Sequence, residues 1–204
     1  MDKKDIQNKF GDQYIADEYT FKMGIDIRFT SHFAERFKKL NVLETCTGAG
    51  FTTISLARVA NQVITVEIDK MHQAQAIQNI EKAGLLNKVR FIHGNILDSN
   101  ILDRLPTVDA VFIDPDWADS GLNHVYKFIN SNTQPPSDMI LNIMLKITNN
   151  IAIVLPPDIN SVEFIDLPIH ERESIFLGNS HELYCLYFGK LMIKEGNTEF
   201  RVNT

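Results

Sequence analysis

Residues 42–57 read VLETCTGAGFTTISLA. Val42-Leu43 closes a short buried strand, Gly48 and Gly50 allow a tight turn and close backbone approach to a ligand, and the apolar run from Phe51 to Ala60 begins a helix. Glu67 follows Gly50 by 17 residues and ends the next apolar run, Val63 to Val66. A carboxylate at the end of a second strand can accept both hydroxyls of a ribose. The order strand, glycine turn, helix, strand, acid predicts a nucleotide-type ligand site at the ends of parallel strands.

The pattern continues outward from there. A helix is predicted over Lys70 to Ala83, stopped at Gly84, and strands over Val89 to Ile92, Ala110 to Ile113 and Ile151 to Leu155. Helices are expected near Leu97 to Leu105 and from Ser137 to Thr148. Continuous β-branched runs alternating with helices imply a mostly parallel central sheet with helices on both faces, a Rossmann-like α/β fold. Glu173 to Leu177 and Leu183 to Phe188, joined by Gly178-Asn179-Ser180, predict an antiparallel hairpin at the sheet edge. Residues 1–40 form a separate, more polar extension with a helix expected from Ser31 to Leu40, its Phe33, Ala34 and Phe37 on one face; residues 41–204 form the main domain.

Composition narrows the class. The 204 residues are 44% hydrophobic and 23% charged, with 20 basic and 26 acidic side chains and a net charge of -6. A single folded domain is expected, without a membrane span or an apolar leader, and hence a cytoplasmic location. Cys46 and Cys185 lack CxxC spacing, and His32, His72, His93, His124, His170 and His181 are scattered without HxH or HxxxH pairs, so neither a disulfide framework nor a metal is expected. Residues 1–41 carry eight Lys or Arg against seven acids, leaving -7 for the remainder. That distribution argues against tracking of a DNA or RNA backbone.

The loop alone fits nicotinamide dinucleotides as well as S-adenosylmethionine. Thr53 stands where a third glycine would meet a pyrophosphate, and Glu44, just before the loop, is placed to meet a ligand ammonium. Both favour S-adenosylmethionine, which has no pyrophosphate and ends in a zwitterion. The candidate cofactor contacts are Glu44, Thr45, Thr47, Gly48, Gly50 and Thr52, with Glu67-Ile68, Asn95-Ile96 and Asp114 at later strand ends. Asn95 stands where class I methyltransferases usually carry an acid that accepts from the adenine amine; its carbonyl can do the same, or close an Asx turn. Asp114-Pro115-Asp116-Trp117 resembles the (Asp/Asn/Ser)-Pro-Pro-(Tyr/Phe/Trp) motif of methyltransferases acting on exocyclic amines. Such an amine needs acceptors for its hydrogens, supplied by Asp114 and the Pro115 carbonyl, and Trp117 can stack on the base.

Together these stretches resemble the trimethylguanosine synthase, or RNA cap guanine-N2 methyltransferase, family from about Gly24 onward. VLETCTGAGFTTISLA is similar to its loop, VDAVFIDPDWA to its Ser-Pro-Pro-Trp segment, NIAIVLPPDIN to its fifth strand and FLGNSHELYCLYFGKL to its closing hairpin. The resemblance implies a class I fold, S-adenosylmethionine as cofactor, and RNA or a guanine-containing nucleotide as acceptor. It also implies that Glu67 binds ribose, Asn95 adenine, Asp114 and Pro115 the amine, and Trp117 the base. Asp116 departs from the second proline, and Ala118-Asp119 from two glycines. A binding module that has lost catalysis, a methyltransferase of small molecules or proteins, and a nicotinamide-dependent oxidoreductase are the alternatives.

Overall fold

The computed structural model describes residues 2–117 and 125–203; Ala118-Asp119 and His124 lie outside the described residues. It divides into two compact units, Met1–Ala110 and Val111–Thr204.

The first unit begins with three helices: α1 (Lys3–Phe10), α2 (Glu18–Met23) and α3 (Ile27–Ala34). Asp2, Asp17 and Asp26 cap them, each side chain accepting an amide from the first turn, which satisfies donors that a helix start leaves without partners. The helix expected over Ser31 to Leu40 therefore begins four residues earlier, where Asp26 can cap it, and ends in a 3₁₀ turn, Glu35–Phe37. Phe33, Ala34 and Phe37 are buried, as their spacing predicts. Next come β1 (Asn41–Thr45), α4 (Phe51–Val59), β2 (Gln62–Glu67), α5 (Lys70–Lys82), β3 (Val89–His93) and α6 (Ser99–Leu102). The three strands are parallel in the order β3-β2-β1, with Leu43 opposite Ile64 and Glu67 opposite His93. Helix α5 ends at Gly84 (φ 73°), as its sequence indicates. Helix α6 is shorter than expected because Arg104 and Leu105 fall into tighter turns that bond back three residues.

Helix α4 is buried from Phe51 to Ala57, which a helix covered on one side only would not be. The extension supplies the second cover. Phe10 stacks on Phe51 with ring centroids 3.5 Å apart and planes 9° from parallel, and the hydroxyls of Thr30 and Ser55 meet at 2.7 Å.

The second unit takes up β4 (Ala110–Ile113) at its start and continues with α7 (Ser137–Met144), β5 (Ile151–Leu155), β6 (His170–Leu177), β7 (Ser180–Phe188) and β8 (Gly196–Val202). Its strand order is β4-β5-β7-β6-β8. Strands β4 and β5 are parallel and wholly buried, and β7 runs antiparallel to both β5 and β6. The hairpin is where the sequence places it, turning at Gly178 (φ 58°), but it is not the edge. Strand β8 lies outside β6 and parallel to it, with Ser174 opposite Glu199. Two buried acids of β6 explain part of this arrangement. Glu171 accepts from the Ile193 amide at 2.7 Å and from the Thr198 hydroxyl at 2.8 Å, which anchors β8 and its approach; Glu173 accepts from the Tyr187 hydroxyl at 2.9 Å. The segment Gly196–Val202 is short and polar, so its alternation alone does not announce a strand.

Gly24 sits against the Phe10–Phe51 stack with an ordinary φ of -64°. A Cβ there would come within 2.7 Å of the Phe51 ring and 2.8 Å of Phe10. Gly24→Ala should therefore destabilise by roughly 1–3 kcal/mol through overpacking alone, read as a lower urea midpoint at an unchanged slope.

Candidate active site

The loop after β1 turns by three left-handed residues in alternation: Cys46 (φ 62°), Gly48 (φ 54°) and Gly50 (φ 82°). Cys46 occupies a conformation that costs a side-chain-bearing residue roughly 1–2 kcal/mol. The Cys46 amide donates to the Val66 carbonyl at 3.0 Å, extending the β1–β2 pairing by one step and helping to hold that turn. The sequence reading found the two glycines and missed Cys46; the only signal is its place two residues before Gly48. The glycines serve different needs. A Cβ on Gly50 would meet the Ala76 Cβ at 3.0 Å, so Gly50 seats the loop on α5. A Cβ on Gly48 would meet nothing within 4 Å, so this face of the loop is open to a ligand.

Around the loop, the candidate residues fall into supports and exposed groups. Glu44 is 1% exposed, and its Oε2 accepts from the Thr53 hydroxyl and, at 2.8 Å, from the Thr65 hydroxyl. Thr65 is in turn hydrogen-bonded to the Thr47 hydroxyl. Thr45 is fully enclosed and Thr52 nearly so. Glu67 stands at the end of β2, its Oε2 accepting the Gly48 amide at 2.8 Å and its Oε1 the Asp69 amide at 2.9 Å. Ile68 follows it with 64% of its surface exposed, an apolar side chain left in solvent beside the acid. At the end of β3, Asn95 is exposed and its Oδ1 accepts the Leu97 amide at 3.0 Å, forming the Asx turn; Ile96 is buried beneath. The first unit thus brings Gly48, Glu67 and Ile68 together at one strand end.

In the second unit, β4 runs into Asp114, Pro115, Asp116 and Trp117. Asp114 is partly exposed, yet the protein around it pushes its carboxyl up to about 7 by desolvation. Pro115 is buried and Trp117 half-buried, its carbonyl accepting from the Tyr126 hydroxyl at 2.7 Å. Asp116 forms an isolated antiparallel bridge with Gln134, amide to carbonyl in both directions at 2.8 Å. Gln134 is itself flanked by a local network, since the Thr133 hydroxyl meets the Ser137 hydroxyl at 2.7 Å and the Pro135 carbonyl at 2.9 Å. A proline at position 116 has no amide hydrogen to give Gln134. The departure from a second proline therefore ties the segment down.

A family model described as RNA cap guanine-N2 methyltransferase matches residues 39–188, well over half of the chain. The chain belongs to that family. Its mostly parallel sheet with flanking helices is the Rossmann-like fold of solved methyltransferases. Shorter matches reach a catechol O-methyltransferase of Niastella koreensis, 36% identical over 97 residues (44% of this chain and 43% of that protein). Another, from Mycobacterium tuberculosis, is also 36% identical over 97 residues, 44% of this chain and 42% of that protein. The chain thus spans less than half the length of these relatives.

Among solved structures, a protein of Porphyromonas gingivalis W83 assigned as a methyltransferase superposes with a TM-score of 0.72 at 16% identity, over 93% of this chain and 48% of that one. The O-methyltransferase TomG of Streptomyces achromogenes, in complex with S-adenosylmethionine, gives 0.59 at 17% identity over 86% and 91%. At such identities these likenesses establish the fold. Among the described residues, no group of three or more His, Cys, Asp or Glu is arranged to hold a metal, and Cys46 and Cys185 are not disulfide-linked.

Asp116→Pro should destabilise by about 1–3 kcal/mol relative to Asp116→Ala, which keeps the amide donor to Gln134. Paired urea unfolding curves of the two variants check this.

Proposed function

We propose that this methyltransferase transfers a methyl group to the exocyclic amine of guanine in RNA. The observation that carries the reading is the end of β4, where a carboxyl with a pKa near 7, a buried Pro115 and a half-buried Trp117 follow one another on a segment pinned by Gln134. Bound S-adenosylmethionine supplies an electrophilic methyl group on sulfur and leaves as a neutral thioether. On the cofactor side, the open face of Gly48 admits the ligand backbone, Glu67 turns its remaining acceptor capacity to the ribose, and Ile68 packs on the adenine. Asn95 meets the adenine edge, and Glu44, Thr45 and Thr52 act as supports of the loop.

On the acceptor side, the Asp114 carboxylate and the Pro115 carbonyl accept the two hydrogens of the amine, turning its lone pair away from the ring. Trp117 holds the base by stacking. As the new carbon–nitrogen bond forms, the amine becomes acidic, and one of its protons passes to Asp114 and then to water. A group of pKa near 7 accepts that proton and releases it at neutral pH. Charge favours recognition of a base over recognition of a phosphate chain. Residues 1–110 carry 14 basic and 14 acidic side chains, whereas residues 111–204 carry 6 against 12. The unit holding Asp114 and Trp117 therefore repels a tracked backbone and fits a single presented base. A phenolic acceptor is the second reading, favoured by the names of the 36% identical relatives.

Methyl-labelled cofactor should label capped or guanine-containing RNA and leave catechol unlabelled; the reverse result overturns the assignment. Trp117→Ala should lower the rate with RNA by roughly 5- to 150-fold, matching a lost stacking contact of about 1–3 kcal/mol. Activity should rise with pH through about 7 as Asp114 ionises, a limb that Asp114→Asn flattens while keeping reduced activity. Stability has the opposite slope. An unfolded Asp titrates near 3.9, so across about pH 4 to 7 the folded chain holds the proton more tightly, and the contribution of Asp114 to stability falls as pH rises. The fall is at most roughly 4 kcal/mol for about three pKa units, and less for a side chain that water partly reaches. Urea titrations should show Asp114→Asn gaining on the parent between about pH 4 and 7.

A further inference from the structure

The segment from Asp12 to Thr20 runs antiparallel along α5, meeting it turn by turn. Lys82 donates to the Gln13 carbonyl and pairs with Asp12 at 3.4 Å, and Asn79 bonds the backbone of Ile15. Gln75 donates to the Asp17 carboxylate at 2.7 Å and accepts from the Thr20 hydroxyl at 3.0 Å, and His72 stacks on Tyr19 with centroids 5.4 Å apart. Positions 72, 75, 79 and 82 share one face of a helix. Asn79 alone among them is fully buried, and it alone also reaches the glycine loop. Its Nδ2 donates to the Ala49 carbonyl at 2.9 Å and to the Ile15 carbonyl at 2.8 Å, while its Oδ1 accepts the Ile15 amide at 2.6 Å. Both donors and the acceptor of one carboxamide are thereby committed between the arm and the residue that separates Gly48 from Gly50.

We infer that Asn79 is a positioning residue that couples the amino-terminal arm to the cofactor loop, so that a docked arm and bound S-adenosylmethionine stabilise one another. The inference rests on the loop being the seat of the cofactor. Neither partner of Asn79 can shift without cost: releasing the arm leaves the Ile15 groups and one carboxamide donor to find water, and releasing the loop strands the buried Ala49 carbonyl. The neighbours of Asn79 on α5 reinforce this, because the Ala76 Cβ and the Ile80 Cδ1 lie 3.0 and 3.2 Å from where a Gly50 Cβ would be. The loop has no slack toward α5, and a displaced Asn79 would be felt at its backbone. Coupling of this kind is reciprocal.

Two measurements on the full chain test it, with S-adenosylmethionine as the probe: its dissociation constant by calorimetry, and hydrogen exchange at the Ile15 amide. Saturating cofactor should slow Ile15 exchange in the parent protein. Asn79→Ser should weaken cofactor binding by about 10-fold and abolish that protection, and Lys82→Ala, which loosens the arm at an exposed site, should shift both in the same direction by less. Ile15 exchange indifferent to cofactor overturns the inference, and this readout decides even if Asn79→Ser fails to fold. A merely structural amide would lower the melting temperature while leaving affinity within about twofold and protection intact, which also overturns it. Gly48→Val separates the two readings: if it binds the cofactor as tightly as the parent, the loop is not the seat.

Discussion

A carboxylate sealed inside a sheet must be given donors, because water cannot reach it and an unmet charge in the interior costs several kcal/mol. Glu44 is such a group, and the hydroxyls that satisfy it come from two other elements. Thr65 belongs to β2 and Thr53 to the first turn of α4. The same carboxylate oxygen thus joins the strand before the loop, the strand beside it and the helix after it. This explains Thr53 at a position where a dinucleotide fold would have its third glycine. The side chain is there to donate to Glu44, and the turn between the two is fixed from both ends.

The two units use different devices for comparable tasks. In the first unit a loop of alternating left-handed residues is held by side chains: Glu44 bonded to the strand beside it and the helix after it, Glu67 receiving the Gly48 amide, Asn79 on the Ala49 carbonyl. The segment carrying Asp114 and Trp117 is held through the backbone, by the Asp116–Gln134 bridge and the Tyr126 hydroxyl on the Trp117 carbonyl. Backbone restraint leaves the side chains of this segment free of that task, and Asp116 supplies the amide hydrogen that a proline at its position would lack.

Much of the fold was legible in local pattern. The strands β1 to β5, the helix α5 with its Gly84 stop and the β6–β7 hairpin follow from runs of β-branched residues and from turn glycines, which act within a few residues of themselves. The misses have a common physical origin. Strand β8 is polar because it lies at an edge, and it is recruited by Glu171, more than twenty residues away in sequence. The start of α3 is set by a cap at Asp26 and not by the apolar face that follows. Around the loop, the left-handed turns at Gly48 and Gly50 were legible because glycine is the residue that adopts them freely, while Cys46 and Asn79 were not, since neither type signals its role without its partners.

The sequence by itself determined the alternation of strands and helices, the glycine turn, the acid that closes the second strand and the Asp-Pro-Asp-Trp segment, all of which are written in spacing and residue type. Only the tertiary structure decided which partners the polar groups around the loop take. Glu44 and Glu67 are both buried acids near one loop, yet one is met by threonine hydroxyls and the other by the backbone amides of Gly48 and Asp69. Tertiary structure likewise made the amino-terminal arm part of the unit that carries the glycine loop, because the polar stripe of α5 finds its hydrogen-bond partners some sixty residues earlier in the chain. A hydrogen bond depends on distance and direction in space, and neither is a property of a residue's neighbours in sequence.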